Sequence, residues 1–221
     1  MSRVVVKIGG AVAAGAADAI LALAAEHEVV VVHGAGPQIS SELEKRGLPV
    51  EFVGGRRVTS EAAIEVVRDS LSRVNAELCA ALGPRAIGLA GDEVGLQATP
   101  VPGLGLVGDA VPSCPTAVES ALEAGLIPVV TPLAEGPLNV NADDAAASLA
   151  VGVRAGRILF HTDVPGLLLE GAVVETIAAD EADRLLDDGE LEGGIVPKLR
   201  AAVTAARLGL VAEIGETAVV A

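Results

Sequence analysis

Residues 3–10 read Arg-Val-Val-Val-Lys-Ile-Gly-Gly, an apolar run that ends in a lysine and two glycines. A run that is apolar on both faces is typical of a strand buried inside a parallel sheet. The glycines let backbone N–H groups approach an anion, and Lys7 adds a compact positive charge beside them. The stretch therefore predicts a central strand whose carboxyl end binds an anion, although a tight turn with a surface lysine fits it equally well.

The same alternation of short apolar strands and amphipathic helices continues along the whole chain. Strands are predicted at residues 3–8, 29–32, 86–89, 95–98, 104–107, 127–130, 157–160, 211–214 and 217–220, with one more after Gly166. Helices are predicted at 16–26, 37–46, 60–82, 116–124, 143–153, 179–187 and 197–208, the third with Ser60 as its N-cap. This pattern predicts an α/β fold, a three-layer αβα sandwich around a mainly parallel sheet.

The composition excludes several classes of protein. The 221 residues carry 30 acidic and 15 basic side chains, a formal net charge of −15, which repels nucleic acid and anionic membranes. The chain has no Trp or Tyr, so base-stacking platforms are nearly absent. No apolar run approaches the roughly 18–20 residues that span a bilayer, and no signal sequence precedes the first strand. Cys79 and Cys114 lack the spacing of a metal site. We expect a soluble, cytoplasmic protein.

Lysine is scarce in this chain, and its placement carries information. There are three lysines against twelve arginines, and two of the three, Lys7 and Lys198, stand close to paired glycines. A lysine is a point charge that suits a moving phosphoryl oxygen, whereas an arginine is a rigid fork. The two segments together favour a phosphotransferase.

A polar segment also follows the second predicted strand, where parallel sheets bind their ligands. It reads His-Gly-Ala-Gly at 33–36 and lacks the third glycine of a dinucleotide-binding motif. His33 alone is more typical of a hydrogen-bonded structural residue than of a catalytic acid or base.

Two further segments precede predicted helices. Arg56 and Arg57 follow two glycines and suit capture of a carboxylate or phosphate, but solvated loop residues fit the pattern as well. Residues 139–144 read Asn-Val-Asn-Ala-Asp-Asp, in which Asn141 or Asp143 alone suffices as a helix cap. Two amides and two carboxylates exceed what capping needs, which favours an additional role in a phosphate site.

Taken in order, these segments resemble the amino-acid kinase family, and within it the enzymes that act on acetylglutamate. The matching stretches are 6–10, 32–36, 55–59, 139–143, 163–166 and 194–198, so the resemblance covers residues 3 to about 210. It implies a carbamate kinase-like fold and ATP-dependent phosphorylation of the side-chain carboxylate of N-acetyl-L-glutamate, a step of arginine biosynthesis.

The resemblance also implies roles for lobes and residues. An N-terminal lobe, 1–135, would bind the amino acid and form a homodimer, and a C-terminal lobe, 136–221, would bind ATP with Mg²⁺. The resemblance implies that Lys7 and Lys198 neutralise phosphate oxygens and that Asp143 positions both lysines. It implies phosphoryl binding at Gly9, Gly10 and Gly34, and substrate binding at Gly34, Ala35, Arg57 and Asn139. It implies nucleotide binding at Asp163, Gly194 and Lys198.

Two departures and two alternatives accompany this resemblance. Ala35 stands where the family usually has glycine, and the stretch after Leu208 is shorter than the family leads us to expect. One alternative is a sister kinase for carrier-protein-linked aminoadipate or glutamate, whose substrate loop favours a different Gly-Gly…Ser-Arg pattern. The other is a non-catalytic amino-acid or nucleotide sensor, against which the retained lysines and Asp143 argue.

Overall fold

The computed structural model describes residues 1–9, 15–161 and 165–221. Its centre is a mainly parallel eight-stranded sheet with helices on both faces, which confirms the predicted α/β sandwich. The helices are α1 (Ala17–Leu23), α2 (Gly36–Lys45), α3 (Glu61–Leu82), α4 (Gly91–Val94), α5 (Thr116–Glu123), α6 (Ala142–Gly152), α7 (Ala179–Asp187) and α8 (Ile195–Arg207).

The strands form one large sheet and three small ones. They are β1 (Arg3–Ile8), β2 (Glu28–His33), β3 (Phe52–Val53), β4 (Arg56–Arg57), β5 (Ala86–Leu89), β6 (Ala98–Pro100), β7 (Val107–Ala110), β8 (Ile127–Val130), β9 (Leu133–Ala134), β10 (Leu138–Val140), β11 (Arg157–His161), β12 (Leu168–Leu169), β13 (Ala172–Val173), β14 (Thr176–Ala178), β15 (Val211–Ile214) and β16 (Thr217–Val220).

The order of strands in the large sheet is β14-β16-β15-β11-β1-β2-β8-β5. Neighbours are parallel throughout, except that β15 and β16 form an antiparallel pair. The strand that opens the chain, β1, therefore lies in the interior between β2 and β11. The carboxyl ends of these three strands meet at one edge, where open α/β sheets bind their ligands.

The side chains of β1 alternate between two apolar layers. Val4, Val6 and Ile8 face the layer formed with α1, α2 and α3. Val5 faces the opposite layer, which contains α6 and α8, and Lys7 shares that face because strand residues alternate. The two clusters follow the faces of the sheet rather than the predicted lobes, so the division at residue 135 stays a prediction.

The C-terminal strands of the sheet are packed on one face. Ala212 and Ile214 of β15 are buried against the layer that contains α8, whereas Val211 on the other face is 40% exposed. The short stretch after Leu208 nevertheless contributes both predicted strands to the central sheet, with Glu213 opposite Ala218 in the pair.

One predicted strand pair was misplaced. Residues 95–98 and 104–107 were expected to pair, but the antiparallel pair is formed by β6 and β7, with Ala98 opposite Ala110. The displacement arises because residues 91–94 form the short helix α4, which ends at Gly95 with a left-handed φ of +94°. Glycine adopts this conformation without a Cβ clash, so the helix ends there and the strand begins later.

The predicted N-cap of the longest helix is confirmed. The Ser60 hydroxyl accepts a hydrogen bond from the Ala63 N–H at 3.2 Å, and its φ and ψ of −77° and 169° are extended, as an N-cap requires. Four N–H groups at a helix start lack partners within the helix, and Ser60 satisfies one of them.

Replacing Ser60 with Ala removes this acceptor. We expect the free energy of unfolding, measured by urea denaturation, to fall by about 1 kcal/mol. Ser60→Asp keeps an acceptor at the same place and should remain within about 0.5 kcal/mol of the parent. Equal losses in the two variants would contradict the capping role.

Candidate functional site

A cleft of about 280 Å³ lies at the carboxyl ends of β1 and β2, between the starts of α2 and α6. It is lined by most of the predicted site residues, which come from four segments of the chain: Lys7, Gly9, Gly34, Ala35, Arg57, Asn139 and Asp143. The sequence segments that looked weak one by one are therefore brought together in space.

The floor of the cleft is a buried ion pair. Lys7 Nζ lies 2.8 Å from Asp143 Oδ1, and the two side chains are 8% and 10% exposed. Asn141 is the N-cap of α6, and its Oδ1 accepts from the N–H of Asp143 at 2.8 Å. Asn141 thus takes the capping role, which leaves the Asp143 carboxylate to hold the lysine. A buried charge of this kind is costly without a partner, so the pair fixes one ammonium at the mouth of the sheet.

The loop between β2 and α2 presents backbone N–H groups to the same space. The Gly34 N–H donates to the Ile8 carbonyl at 2.9 Å, so it is engaged inside the sheet edge. The N–H groups of Ala35 and Gly36 have no hydrogen-bond partner within the described ranges. Ala35 has a φ of −142°, outside the left-handed region that favours glycine, so this turn does not require the glycine that the family usually has here. The geometry favours Ala35 and Gly36, rather than Gly34, as donors to an anion.

A β-hairpin covers one side of the cleft. Its strands β3 and β4 are joined by Gly54 and Gly55, whose φ values of +56° and +79° fit a two-residue turn with both centres left-handed. The sequence pattern predicts only a loop for this stretch, so the hairpin corrects that prediction. The hairpin exposes Phe52 and turns Arg57 inward.

Arg57 is held by several partners and retains donors for a ligand. Its Nη2 donates to the Gly36 carbonyl at 3.0 Å and to Ser40 Oγ at 2.8 Å, and its Cζ lies 4.5 Å from the centre of the Phe52 ring. Its Nη1 is buried and has no hydrogen-bond partner in the part of the chain that the structure describes. Burial lowers the pKa of this guanidinium, which nevertheless stays charged at neutral pH. An anionic ligand would supply the missing acceptor.

Asn139 is oriented by two consecutive hydrogen bonds that no local sequence pattern predicts. Its Nδ2 donates to Thr59 Oγ1 at 2.9 Å, and that hydroxyl donates to the Arg57 carbonyl at 2.8 Å. Thr59 is fully buried. This arrangement fixes which end of the Asn139 amide carries the oxygen, and it links the amide to the strand that carries Arg57.

Arg56 points away from Arg57. Its guanidinium pairs with Asp109 of β7 at 2.6 Å and also borders a second, smaller cavity with Asp144. Burial raises the pKa of the Asp144 carboxyl, with Asp143 and Asp109 adding to the effect and Arg56 opposing it. The two arginines thus have different partners, and of the two only Arg57 has a buried donor that no other described residue accepts.

Two of the predicted nucleotide residues, Gly194 and Lys198, lie apart from this cleft. Lys198 and Gly194 are at the start of α8, where Lys198 Nζ donates to the Gly194 carbonyl at 3.2 Å, and neither is among the described residues that line the cleft. Gly10 and Asp163 lie outside the described residues. The roles expected for these four positions stay predictions.

His33 is a buried structural residue rather than an exposed acid or base. Its side chain is fully buried, and burial lowers the pKa of the imidazole to about 4, with a smaller opposing effect from the Gly34 carbonyl. The imidazole is therefore neutral at physiological pH.

Comparison with known proteins agrees with this arrangement. The amino acid kinase family matches residues 2–215. An acetylglutamate kinase of Rubrobacter xylanophilus is 43% identical over 97% of this chain and 88% of that relative, and one of Salinispora tropica is 42% identical over 95% of this chain and 80% of that relative. The chain belongs to the amino acid kinase family.

Solved structures of similar fold align with nearly the whole of this chain. The smu.665 protein of Streptococcus mutans superposes with a TM-score of 0.85 at 27% identity and covers 99% of this chain and 98% of its own. A carbamate kinase of Giardia superposes with a TM-score of 0.72 at 16% identity, again over 99% of this chain and 98% of its own, which supports the predicted carbamate kinase-like fold.

The buried neutral His33 makes stability depend on pH. Its folded pKa of about 4 lies below its ordinary value of 6.5, so the unfolded chain takes up a proton first as the pH falls. The contribution of His33 to the free energy of unfolding is therefore fully present above pH 6.5 and is lost as the pH falls. We expect the free energy of unfolding to decrease by about 2 kcal/mol between pH 7 and pH 5. Urea denaturation at these two pH values measures it.

The matched variant is His33→Asn, which has no group that titrates at this position. Between pH 7 and pH 5 the free energy of unfolding should decrease less in this variant than in the parent, and the two decreases should differ by about 2 kcal/mol. An identical pH dependence in both proteins would show that the pKa of His33 is the same in the folded and the unfolded chain.

Proposed function

We propose that this protein transfers the γ-phosphoryl group of ATP to the side-chain carboxylate of N-acetyl-L-glutamate, a reaction of arginine biosynthesis. The relatives that it matches over most of their length carry the name acetylglutamate kinase. The observation that carries the proposal is the cleft itself, in which a buried lysine, two backbone N–H groups and the Nη1 of an arginine converge, and neither the N–H groups nor Nη1 has a partner among the residues described.

This reaction needs no general base. A side-chain carboxylate is ionised at pH 7 and is already a nucleophile. Phosphoryl transfer then depends on alignment and on charge stabilisation at the transferred group. A neutral, buried His33 beside the cleft agrees with such chemistry, because no proton has to be removed.

The transferred phosphoryl group would lie beside Lys7. The ammonium of Lys7, oriented by Asp143, would neutralise its oxygens, and the N–H groups of Ala35 and Gly36 would donate to it as fixed dipoles. Gly9 lines the same cleft, and Gly10 follows it in the chain. These donors are held in place before the substrate arrives, so little reorganisation is needed during transfer.

The α-carboxylate of the acetylated amino acid would lie between Arg57 and Asn139. The unpaired Nη1 of Arg57 would donate to it, and the remaining Asn139 N–H would donate from the opposite wall. The Gly34–Ala35 backbone would complete this part of the site.

The nucleotide would approach from the C-terminal lobe. Lys198, Gly194 and Asp163 would contact MgATP there, with Lys198 neutralising oxygens on the leaving side. Magnesium is carried to such sites largely by the phosphates of the nucleotide, and when bound it neutralises their charge. On a chain with a net charge of −15, these local cations offset the repulsion of ATP.

We also propose a cytoplasmic homodimer joined through the N-terminal lobe. Strand β5 forms the edge of the large sheet, where its outer backbone groups can pair with a second copy. No helix in residues 1–9, 15–161 and 165–221 is long and apolar enough to cross a membrane. Light scattering measures the assembly, and a monomer or a hexamer would contradict it.

The activity is tested by ADP release from MgATP with N-acetyl-L-glutamate, combined with trapping of the acyl phosphate by hydroxylamine. Free glutamate, aspartate and N-acetyl-aminoadipate serve as competing acceptors in parallel reactions. Turnover selective for N-acetyl-L-glutamate supports the proposal. Binding of acetylglutamate without ADP release would instead identify a sensor.

Lys7→Arg conserves the charge at the floor of the cleft but replaces a point donor with a larger fork. We expect kcat to fall at least about a hundredfold, as when one charge-stabilising donor is lost from an active site. The control is Lys45→Met, because Lys45 is 69% exposed on α2 and pairs only with Glu42 in the described residues. A near-normal kcat for Lys7→Arg would contradict the proposed role of Lys7 in neutralising the phosphoryl oxygens.

Thr59→Val keeps the shape of the side chain but removes the hydroxyl that orients Asn139. We expect the KM for N-acetyl-L-glutamate to rise about tenfold, with the KM for ATP unchanged, because only the substrate-side amide is released. Thr59→Ser keeps the hydroxyl and should recover most of the affinity. An equal loss in the Ser and Val variants would show that the methyl group, not the hydroxyl, matters.

A further inference from the structure

A buried polar network of side chains connects the middle of α3 to the loop at the floor of the cleft. Asn75 of α3 lies 3.1 Å, through its Nδ2, from Nε2 of His33, the last residue of β2. On the other side of the ring, His33 Nδ1 lies 3.4 Å from the Gly34 carbonyl. Asn75 and His33 are both buried, so neither exchanges these contacts for water.

The orientation of the Asn75 amide follows from a backbone carbonyl. The same Nδ2 donates to the Val129 carbonyl of β8 at 2.9 Å, and a carbonyl only accepts, so the nitrogen and not the oxygen faces β8. The Asn75 Oδ1 accepts from Cys79 Sγ at 3.7 Å, in agreement with this orientation. Both amide hydrogens are thereby assigned, one to Val129 and one to His33.

The tautomer of His33 follows in turn. Because Asn75 donates to Nε2, that nitrogen has to be an acceptor without a proton. In a neutral imidazole the proton is then on Nδ1, from which it donates to the Gly34 carbonyl. Burial keeps the ring neutral, so this single tautomer persists across the physiological pH range.

The space around Asn75 leaves little freedom for another arrangement. The Asn75 Oδ1 occupies the position directly over Gly88 of β5, where a Cβ would overlap with it. Glycine at 88 therefore creates the room in which the amide lies. The series of hydrogen-bonded groups that runs from the Val129 carbonyl through Asn75 and His33 to the Gly34 carbonyl is therefore closely packed.

The contact with Gly34 determines where the next N–H points. In a trans peptide the carbonyl and the following N–H point to opposite sides. When His33 draws the Gly34 carbonyl toward the core, the Ala35 N–H is directed away from His33. Ala35 lines the cleft, and its N–H has no hydrogen-bond partner among the described residues. The Gly34 N–H is fixed at the same time by the Ile8 carbonyl.

We propose that Asn75 and His33 are positioning residues for phosphoryl transfer: Asn75 fixes the Nδ1–H tautomer of His33, which holds the Gly34–Ala35 peptide so that the Ala35 N–H faces the transferred group. This inference rests on the proposed kinase function. It predicts that Asn75, which lies on α3 and is not among the described residues that line the cleft, affects kcat.

Two substitutions of His33 separate this role from packing. The amide nitrogen of Asn lies near the position of Nδ1, and the amide oxygen of Gln can lie near the position of Nε2, where it accepts from Asn75 as the ring does. His33→Asn can therefore still donate to the Gly34 carbonyl, whereas His33→Gln keeps the Asn75 contact and loses that donation. Both variants remove the same buried ring and should lose similar amounts of thermal stability.

We expect the kcat of His33→Asn to exceed that of His33→Gln at least tenfold, with less than a threefold difference in the KM for N-acetyl-L-glutamate. Asn75→Leu, which removes the group that fixes the tautomer, should also lower kcat about tenfold. Equal kcat values in the two His33 variants would overturn the proposal, as would a kcat that simply follows melting temperature.

The tautomer itself is measured on the unmodified protein and needs no activity. The chain has three histidines, so the ring nitrogen resonances of His33 can be assigned with single substitutions of the other two. We expect a neutral ring protonated at Nδ1 at pH 7, and loss of that single tautomer in Asn75→Leu. A ring protonated at Nε2, or a charged ring, would refute the inference even if the protein proves to be an active kinase. Conversely, the expected tautomer in a protein without turnover would leave the network standing and reject the proposed function.

Discussion

The ion pair between Lys7 and Asp143 is the interaction around which the rest of the site is arranged. It joins the first strand of the chain to the start of a helix more than a hundred residues later, and it buries both charges. A buried charge that lost its partner would destabilise the fold by several kcal/mol, so the pair holds β1 and α6 in one relative position. The strand order β11-β1-β2 then places the anion-binding loop next to the same ammonium.

Hydrogen bonds in and behind the wall of the cleft orient the groups that line it. Thr59 orients Asn139, Asn141 caps α6 below Asp143, and Asn75 acts on the loop through His33. Each of these polar side chains makes a hydrogen bond that orients a group at the cleft or directly behind it. A reaction that depends on alignment rather than on proton transfer benefits from such fixed donors, since their orientation is set before the substrate binds.

Much of the fold could be predicted because buried parallel strands have a strong sequence pattern. The strands at residues 3–8, 86–89 and 127–130 follow from their apolar runs, and the Ser60 cap follows from its residue type. The β3–β4 hairpin was missed although Gly54-Gly55 is a recognised two-residue turn, because the flanking strands have two residues each and no periodicity. The engaged Gly34 N–H and the role of Thr59 depend on contacts between distant segments, which no local pattern encodes.

The two phenylalanines occupy opposite environments. Phe160 of β11 is buried in register with Lys7, whereas Phe52 of the hairpin is 54% exposed above Arg57. The sequence has no Trp or Tyr, so these two are its only six-membered aromatic rings. The other side-chain rings that carry ring currents are the three imidazoles. The aromatic proton spectrum is therefore almost empty, and one phenyl signal reports on the hairpin while the other reports on the core. A ring-current shift that appears when nucleotide is added, at a methyl group far from all five of these rings, would come from bound adenine. The apolar methyl groups of the protein can therefore map the base without any label on the nucleotide.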